Sequence, residues 1–478
     1  MRGGQARYAK PQLLFHRFIH AGEDYLFDAR SFALFRVNKC ALAILNQFDH
    51  SSRNQIVRAL AGRFSSALVR DTLREIHTLI ETGRLTLYDP DTFEVPGLHR
   101  LVLLLTERCN LACKYCFEAG TVDHKDGGRM PAAVASAAID YLMLYAEQKE
   151  CTIEFYGGEP LLNPETLAYA LQYATQKAKE CGKRVNFYCI SNGTTVTKQI
   201  ARLLRQYDVT VQVSVDGCKQ MHDSVRIGKT GRGSYDRIEA SLKTLREEGV
   251  KVCLYATVAS HNYKLGTVME DLNRFGFEAS FWIAASDRSE VALSSAQWEQ
   301  LHAEHERLLN QRRDRAPEKK SRDDSDRVGK IAHRIRSGHR TYFGCGGGLS
   351  EFTIGIGGEI FGCERLLHGS RGNIADALAK QVEPHLLWPG FMPDVDRRRV
   401  CKVCWAKYLC GGGCMHSARV LTDSDDPPEM HCAIMRREAE AAIRDVLEES
   451  HTDGRSDQQS FEDCNHCRTC CTGGSQIT

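Results

Sequence analysis

The run "LVLLLTERCNLACKYCFE", Leu101–Glu118, decides the fold. Its first half is a continuous apolar segment, the pattern of a strand covered on both faces. Its second half puts Cys109, Cys113 and Cys116 into one loop just past the strand end. Three thiolates are one short of a closed structural zinc site, which usually draws four ligands from two separated pairs. An iron–sulfur cube fits the pattern better. Three thiolates hold three of its irons and leave the fourth to an outside ligand.

From 100 to about 285, apolar strand candidates alternate with helical stretches. The strands are "LVLLLTE", "CTIEFYG", "VNFYCIS", "VTVQVSVD", "VCLYATVA" and "EASFWIA". "PAAVASAAIDYLMLYAEQ" and "NPETLAYALQYATQKAKE" are among the helices between them. Six such βα units predict a parallel sheet with its chemistry at the strand C-termini. An open partial barrel and a doubly wound sheet both satisfy the pattern.

Cys-x3-Cys-x2-Cys with Tyr115 before the last cysteine resembles the signature of the radical S-adenosylmethionine (SAM) superfamily. The resemblance implies an α/β fold, a partial (β/α)6 barrel. It also implies that S-adenosylmethionine binds the open iron and is cleaved by one electron to a 5′-deoxyadenosyl radical. "FYGGEPLLN" resembles that family's GGE motif at Gly157, Gly158 and Glu159, implied to hold the methionine amino group. Two glycines also let backbone approach a ligand closely. "SNGTT" (Ser191, Asn192) and "VSVDG" (Ser214, Asp216) fall at strand ends, read as four units apart in the pattern. They resemble edges that face the ribose and carboxylate. "HDSVRIGKTGRGSYDR" resembles a stretch of the peptide-modifying branch and makes Arg226 a cofactor-site candidate.

The chain has 478 residues and 20 cysteines, with a formal net charge of +2. That balance gives no electrostatic case for a nucleic-acid partner. "MRGGQARYAKPQLLFHRF" lacks an apolar signal core, and no apolar stretch reaches membrane-span length. A cytoplasmic protein with no membrane partner is expected, and its cysteines point to metal or catalysis. Cys40, Cys151, Cys181, Cys189, Cys218 and Cys253 are scattered and read as small core residues.

A second organised set comprises Cys345, Cys363, Cys401, Cys404, Cys410, Cys414 and Cys432. Cys-x2-Cys alone reads as a zinc knuckle, but seven cysteines are too many for one zinc. The spacing resembles the SPASM extension, which carries two auxiliary [4Fe–4S] clusters. The likeness gives Cys401, Cys404, Cys410 and Cys432 to one cluster and Cys345, Cys363 and Cys414 to the other. Three [4Fe–4S] clusters are therefore implied, the first auxiliary one short of a ligand. A substrate thiolate or a tail cysteine could fill that place. Glu364, directly after Cys363, is the candidate acid/base, matching a carboxylate that serves as base in sulfatase maturases.

Residues 10–95 read as a small α+β module. Its strands are "LLFHRFIHAG", "DYLFDAR" and "SFALFRV", and its helices are "KCALAILNQF", "RNQIVRALAGRF" and "SALVRDTLREIHTLIETG". It resembles the winged-helix peptide-recognition element of peptide maturases, which binds a leader by strand addition. A structural cap is the plainer reading. The expected domains are 1–95 for this module, 96–285 for the barrel, 286–340 for a charged helical linker, 341–450 for SPASM and 451–478 for a Cys-containing tail.

Within the superfamily the chain most resembles thioether-forming maturases, above all that of the quinohemoprotein amine dehydrogenase small subunit. The implied activity is an oxidoreductase joining Cys sulfur to Asp or Glu methylene carbons in a peptide or small protein. An external donor such as flavodoxin or ferredoxin is implied. Maturases of six-cysteine peptides and anaerobic sulfatase (formylglycine) maturases are the enzymatic alternatives. A non-catalytic iron–sulfur scaffold is the remaining one.

Overall fold

The computed structural model describes residues 13–452 apart from 49, 88–96, 119–126, 285–289, 314–326, 368, 389 and 391. The tail with its four cysteines falls almost wholly outside the described residues.

Six parallel strands follow the six expected segments: β4 (Arg100–Thr106), β5 (Glu150–Gly157), β6 (Arg184–Ser191), β7 (Thr210–Ser214), β8 (Lys251–Val258) and β9 (Glu278–Ile283). Their helices all cover one face. Leu101, Leu103, Ile153, Phe155, Val211, Val213, Leu254 and Ala256 share one buried cluster with Ile139, Leu171, Leu204, Leu242 and Leu272 of the intervening helices. The alternate residues, among them Glu154, Tyr156 and Tyr255, point to the other face and stay out of that cluster. One-sided cover is what a partial barrel requires. A doubly wound sheet would carry helices on both faces. β6 and β7 are hydrogen-bonded neighbours, so "SNGTT" and "VSVDG" end adjacent strands rather than strands four units apart.

The sheet does not stop at six strands. β10 (Glu351–Ile354) adds parallel to β4, and β11 (Ile360–Phe361) adds antiparallel to β10. The barrel sheet thus runs past the expected boundary at 341 and carries Cys363 to the barrel's edge. Part of the charged stretch after 290 lies outside the described residues, and its described part is less solvated than its composition suggests. The helix Arg327–Ser337 buries Val328, Ile331, Ala332 and Ile335, an apolar stripe at helical spacing.

The front module is a three-stranded antiparallel sheet: β1 (Phe15–His20), β2 (Glu23–Asp28) and β3 (Leu34–Arg36). Helices Lys39–Phe48, Arg53–Leu60 and Ser66–Glu81 follow. Phe18, Tyr25, Phe27, Phe32 and Leu34 are buried in one cluster with Ile331, Cys401, Tyr408 and Ile443. The module therefore shares a core with the cysteine-rich region. The β1 edge is covered as well. His16 stacks on Trp405 at 3.8 Å, and Arg444 donates to the Ile19 carbonyl at 2.7 Å.

Of the scattered cysteines, Cys40, Cys151 and Cys189 are buried and Cys218 and Cys253 half-buried. Cys181 is exposed, which corrects its reading as a core residue. It lies just past the end of the helix Pro164–Glu180, where the chain turns through solvent.

Candidate active site

The three-cysteine loop begins two residues after β4. Ala112 N–H donates to the Ile227 carbonyl at 2.8 Å, and Lys114 N–H to the Val225 carbonyl at 3.1 Å. These bonds tie the loop to the segment holding Arg226. On the other side, Asn192 Nδ2 donates to Asn110 Oδ1 at 2.9 Å and lies 3.8 Å from Cys109 Sγ. Asn110 Nδ2 in turn donates to Thr194 Oγ1 at 2.7 Å. The chain thus fixes the cysteine loop from the end of β6 on one side and from the end of the helix Lys219–Val225 on the other.

Gly157 and Gly158 work toward the same loop. A Cβ on Gly157, whose φ is +132°, would lie 2.3 Å from the Thr106 carbonyl oxygen. One on Gly158 would lie 2.4 Å from that of Arg108. The glycines therefore let the two strand ends approach each other. Gly158 N–H donates to Thr106 O and Glu159 N–H to Arg108 O, both at 2.8 Å. Glu159 is fully buried. Its carboxylate accepts from Ser191 Oγ (2.8 Å), Asn192 N–H (2.7 Å) and Leu161 N–H (3.1 Å). Burial pushes it up to about 7 against those donors. Glu159, Ser191 and Asn192 thus form one joint between β5, β6 and the cysteine loop.

Asp216, just past β7, is also fully buried. Arg226 Nε donates to its Oδ2 at 2.8 Å, Thr257 N–H to its Oδ1 at 2.9 Å, and the Tyr115 hydroxyl to its Oδ2. Burial acts to raise this carboxyl, but Arg226, His222 and the Tyr115 hydroxyl together outweigh it and hold the group below the ordinary range. The Arg226 guanidinium sits 5.2 Å from the Tyr115 ring centroid, a cation–π contact. Tyr115, Asp216 and Arg226 are therefore brought together beside Cys113, whose thiol burial raises and Arg226 lowers. Ser214 is half-buried at the end of β7.

The sequence reading missed the residues that build this corner. His222 Nδ1 accepts from Asp216 N–H at 3.2 Å, and its Nε2 pairs with Ser234 Oγ at 2.9 Å. Asp223 Oδ1 accepts from Ser234 N–H and Tyr235 N–H at 2.7 and 2.9 Å. A Cβ on Gly233 would lie 2.2 Å from the Asp223 side chain. The His-Asp and Gly-x-Gly-Ser pieces of the segment close one loop, and the spacing could have signalled it.

The C-terminal cysteines fall into two groups. Cys401, Cys404, Cys410 and Cys432 line one cavity of about 450 Å³ with Trp405, Pro427 and Met435. Burial, with Cys410 among its neighbours, pushes both Cys401 and Cys432 up to about 12. Cys345 is exposed as a residue, yet the protein crowded around its thiol strips it of water and pushes it up to about 12, with Cys414 adding to this against the Gly347 N–H. Cys363 is raised by burial, with Glu364, Cys414 and Cys345 adding to it. At the barrel loop, burial pushes Cys109 to about 12, and Glu159, Cys113 and Cys116 act in the same direction. Gathered thiols, most of them half-buried and several held back from ionising, fit a cationic iron cluster, which binds them deprotonated. Among the described residues, no three His, Cys, Asp or Glu side chains converge tightly enough for a single metal ion. A cube spreads its thiolates over separate irons.

Glu364 has a side chain 19% exposed, 3.5 Å from Arg365 Nε, and it accepts from the Cys363 thiol at 3.4 Å. No described helix is long and apolar enough to cross a membrane.

Comparison with known proteins agrees with this geometry. Residues 103–275 match the model of the Radical SAM superfamily. An uncharacterized protein of Methanocaldococcus jannaschii is 34% identical over 140 residues, covering 29% of this chain and 46% of that one. The cysteine-type anaerobic sulfatase-maturating enzyme of Clostridium novyi is 29% identical over 167 residues, covering 34% and 44%. The chain thus spans a little under half the length of either relative. The solved structure of native anSMEcpe with bound AdoMet superposes with a TM-score of 0.59 at 18% identity, covering 74% of this chain and 99% of that one. That likeness extends the shared fold well beyond the barrel. Residues 103–275 are thus similar to a radical SAM domain, and beyond them the likeness to the solved structure is one of fold.

Proposed function

We infer that this chain is a peptide-modifying radical SAM enzyme that joins a Cys sulfur to a side-chain methylene carbon, that of Asp or Glu, in a peptide or small protein. The observation that carries the reading is the three-membered group Cys345, Cys363 and Cys414 beside Glu364. Among the described residues it supplies one thiolate fewer than a cube takes, a place that a substrate sulfur would fill. The front module supports a peptide substrate. Asp28 N–H bonds Ala33 O and Val37 N–H bonds Asp24 O, both at 2.9 Å. Alternation then turns the Leu34 and Arg36 N–H groups outward, so β3 offers an edge for strand addition.

With S-adenosylmethionine and three [4Fe–4S] clusters bound, the site would supply a 5′-deoxyadenosyl radical and an acceptor for one electron. Cys109, Cys113 and Cys116 would hold the first cluster and the two C-terminal groups the others. Tyr115, Asp216 and Arg226 would shape the cofactor side, with Gly157, Gly158, Glu159, Ser191, Asn192 and Ser214 completing it. Thioether formation removes one hydrogen as an atom from carbon and one as a proton from sulfur. Glu364 stands beside Cys363 to take that proton. A flavodoxin or ferredoxin would deliver the electron that starts the reaction.

The sulfatase-maturating relative favours a second reading, in which a Cys or Ser is oxidised to formylglycine. The two are separated by mass. Co-expression with small Cys-rich proteins encoded beside the gene should yield a peptide lighter by two hydrogens, with the Cys blocked to alkylation. An aldehyde at a Cys or Ser, with no crosslink, would overturn the thioether reading.

A further inference from the structure

Arg365 stands where the barrel and the cysteine-rich region meet. Its guanidinium lies 5.5 Å from the Phe117 ring centroid and 5.5 Å from that of Trp282. Phe117 directly follows Cys116, and Trp282 belongs to β9. Phe117 packs on Tyr156 of β5 at 6.5 Å and edge-on to His416 at 5.7 Å. His416 lies two residues past Cys414. The cation is thus held between the radical SAM loop and the three-membered cysteine group.

Its guanidinium fork is only partly engaged. Among the described residues its ion-pair partner is Glu364, reached from Nε at 3.5 Å. Two nearby carboxylates face Arg100: Glu154 pairs with it, and Glu351 lies 3.4 Å from its Nε. The Arg365 side chain remains 27% exposed. A guanidinium held against ring faces keeps its planar fork for an incoming planar anion, and carboxylate is the anion that fork matches.

We propose that Arg365 is the specificity-determining anchor for the carboxylate of the substrate's acidic acceptor residue. This rests on the thioether reading. In an Asp or Glu side chain, the carbon next to the carboxylate is a methylene. Fixing the carboxylate therefore fixes that methylene one bond away, between the radical SAM loop and the sulfur side of the site. An amide keeps the shape and loses the charge, so Asn and Gln should be rejected.

The test uses the reconstituted full chain and two synthetic peptide sets. Each peptide has one Cys and, at successive spacings, either Asp or Asn. Binding is read by anaerobic fluorescence titration and product by mass spectrometry. The wild type should favour the Asp set on the order of tenfold or more. Arg365→Gln should level the two sets, and Arg365→Lys should keep part of the preference because it retains charge without the fork. Iron content reports whether each variant assembles. If Arg365→Gln does not assemble, the Arg365→Lys variant and the wild-type comparison decide. No Asp-over-Asn preference in the wild type, or a preference that the variants keep in full, overturns the proposal. A purely packing role would change iron content or stability and leave the preference intact. An Arg365-dependent preference that ends in an aldehyde product would instead contradict the thioether reading and spare the anchor.

Discussion

Gly158→Ala probes the joint between the GGE segment and the cysteine loop. The added Cβ would lie 2.4 Å from the Arg108 carbonyl oxygen, well inside the 3.0 Å that real Cβ atoms keep. The Glu107 carbonyl oxygen is also close, at 2.6 Å. Both neighbours are backbone, so no side chain can swing aside. Relief requires parting β5 from the loop that leads to Cys109. That strains or breaks the two 2.8 Å bonds from Gly158 and Glu159. Overpacking costs about 1–3 kcal/mol, and two backbone hydrogen bonds add about 1 kcal/mol each. A loss of about 3–5 kcal/mol is expected, a large share of a domain's stability. The control is Gly182→Ala, where φ is +65° and nothing lies within 4 Å, so only about 1–2 kcal/mol of backbone strain applies. Anaerobic reconstitution followed by iron and sulfide analysis reads the outcome. Gly158→Ala should lose roughly one cluster's worth of iron and Gly182→Ala none. Full iron and unchanged stability in Gly158→Ala would refute the coupling between the two segments.

Three further perturbations address other parts of the site. Burial, then the charge of Arg226, lowers His222 from 6.5 to about 4. Its neutral ring therefore stabilises the fold fully above pH 6.5, and that contribution, about 3 kcal/mol, is lost as pH falls toward 4. His222→Gln should flatten that slope relative to wild type in denaturant titrations across the window, and an unchanged difference would contradict the assignment. Glu364→Gln should retain wild-type iron while slowing crosslinking about a hundredfold, seen as the two-hydrogen mass loss; an unaltered rate would remove Glu364 from the proton transfer. Arg36→Pro removes an outward N–H from β3 without touching the β2 ladder, so it should weaken peptide binding at nearly unchanged stability. Deleting residues 1–95 is a poorer test. It would strip Phe18, Phe27 and Phe32 from the core they share with Cys401 and Tyr408.

The sequence made the barrel strands legible because each is a long apolar or alternating run between clear helices. β10 was not legible. "EFTI" is four residues in a Gly-rich stretch, and only its long-range pairing with β4 makes it a strand. Cysteine spacing made the grouping of the thiols legible, since residues on one short loop stay close together. The partners of those loops were harder to see. The segment suggested Arg226, but its bond to Asp216 joins residues ten apart across a buried corner. Glu159 was read as a ligand group for an ammonium. The structure spends its carboxylate on Ser191, Asn192 and Leu161. Arg365 has no signal in the sequence, since a lone arginine has no periodicity. Its position between Phe117 and Trp282 exists only once β9 and the cysteine loop meet.

The central claim is that Cys109, Cys113 and Cys116 hold the cluster at which S-adenosylmethionine is cleaved. Reduced, reconstituted protein incubated anaerobically with S-adenosylmethionine should release 5′-deoxyadenosine. The Cys109→Ala/Cys113→Ala/Cys116→Ala variant should release none while keeping the iron of the C-terminal groups. Continued 5′-deoxyadenosine formation by that variant would contradict the account.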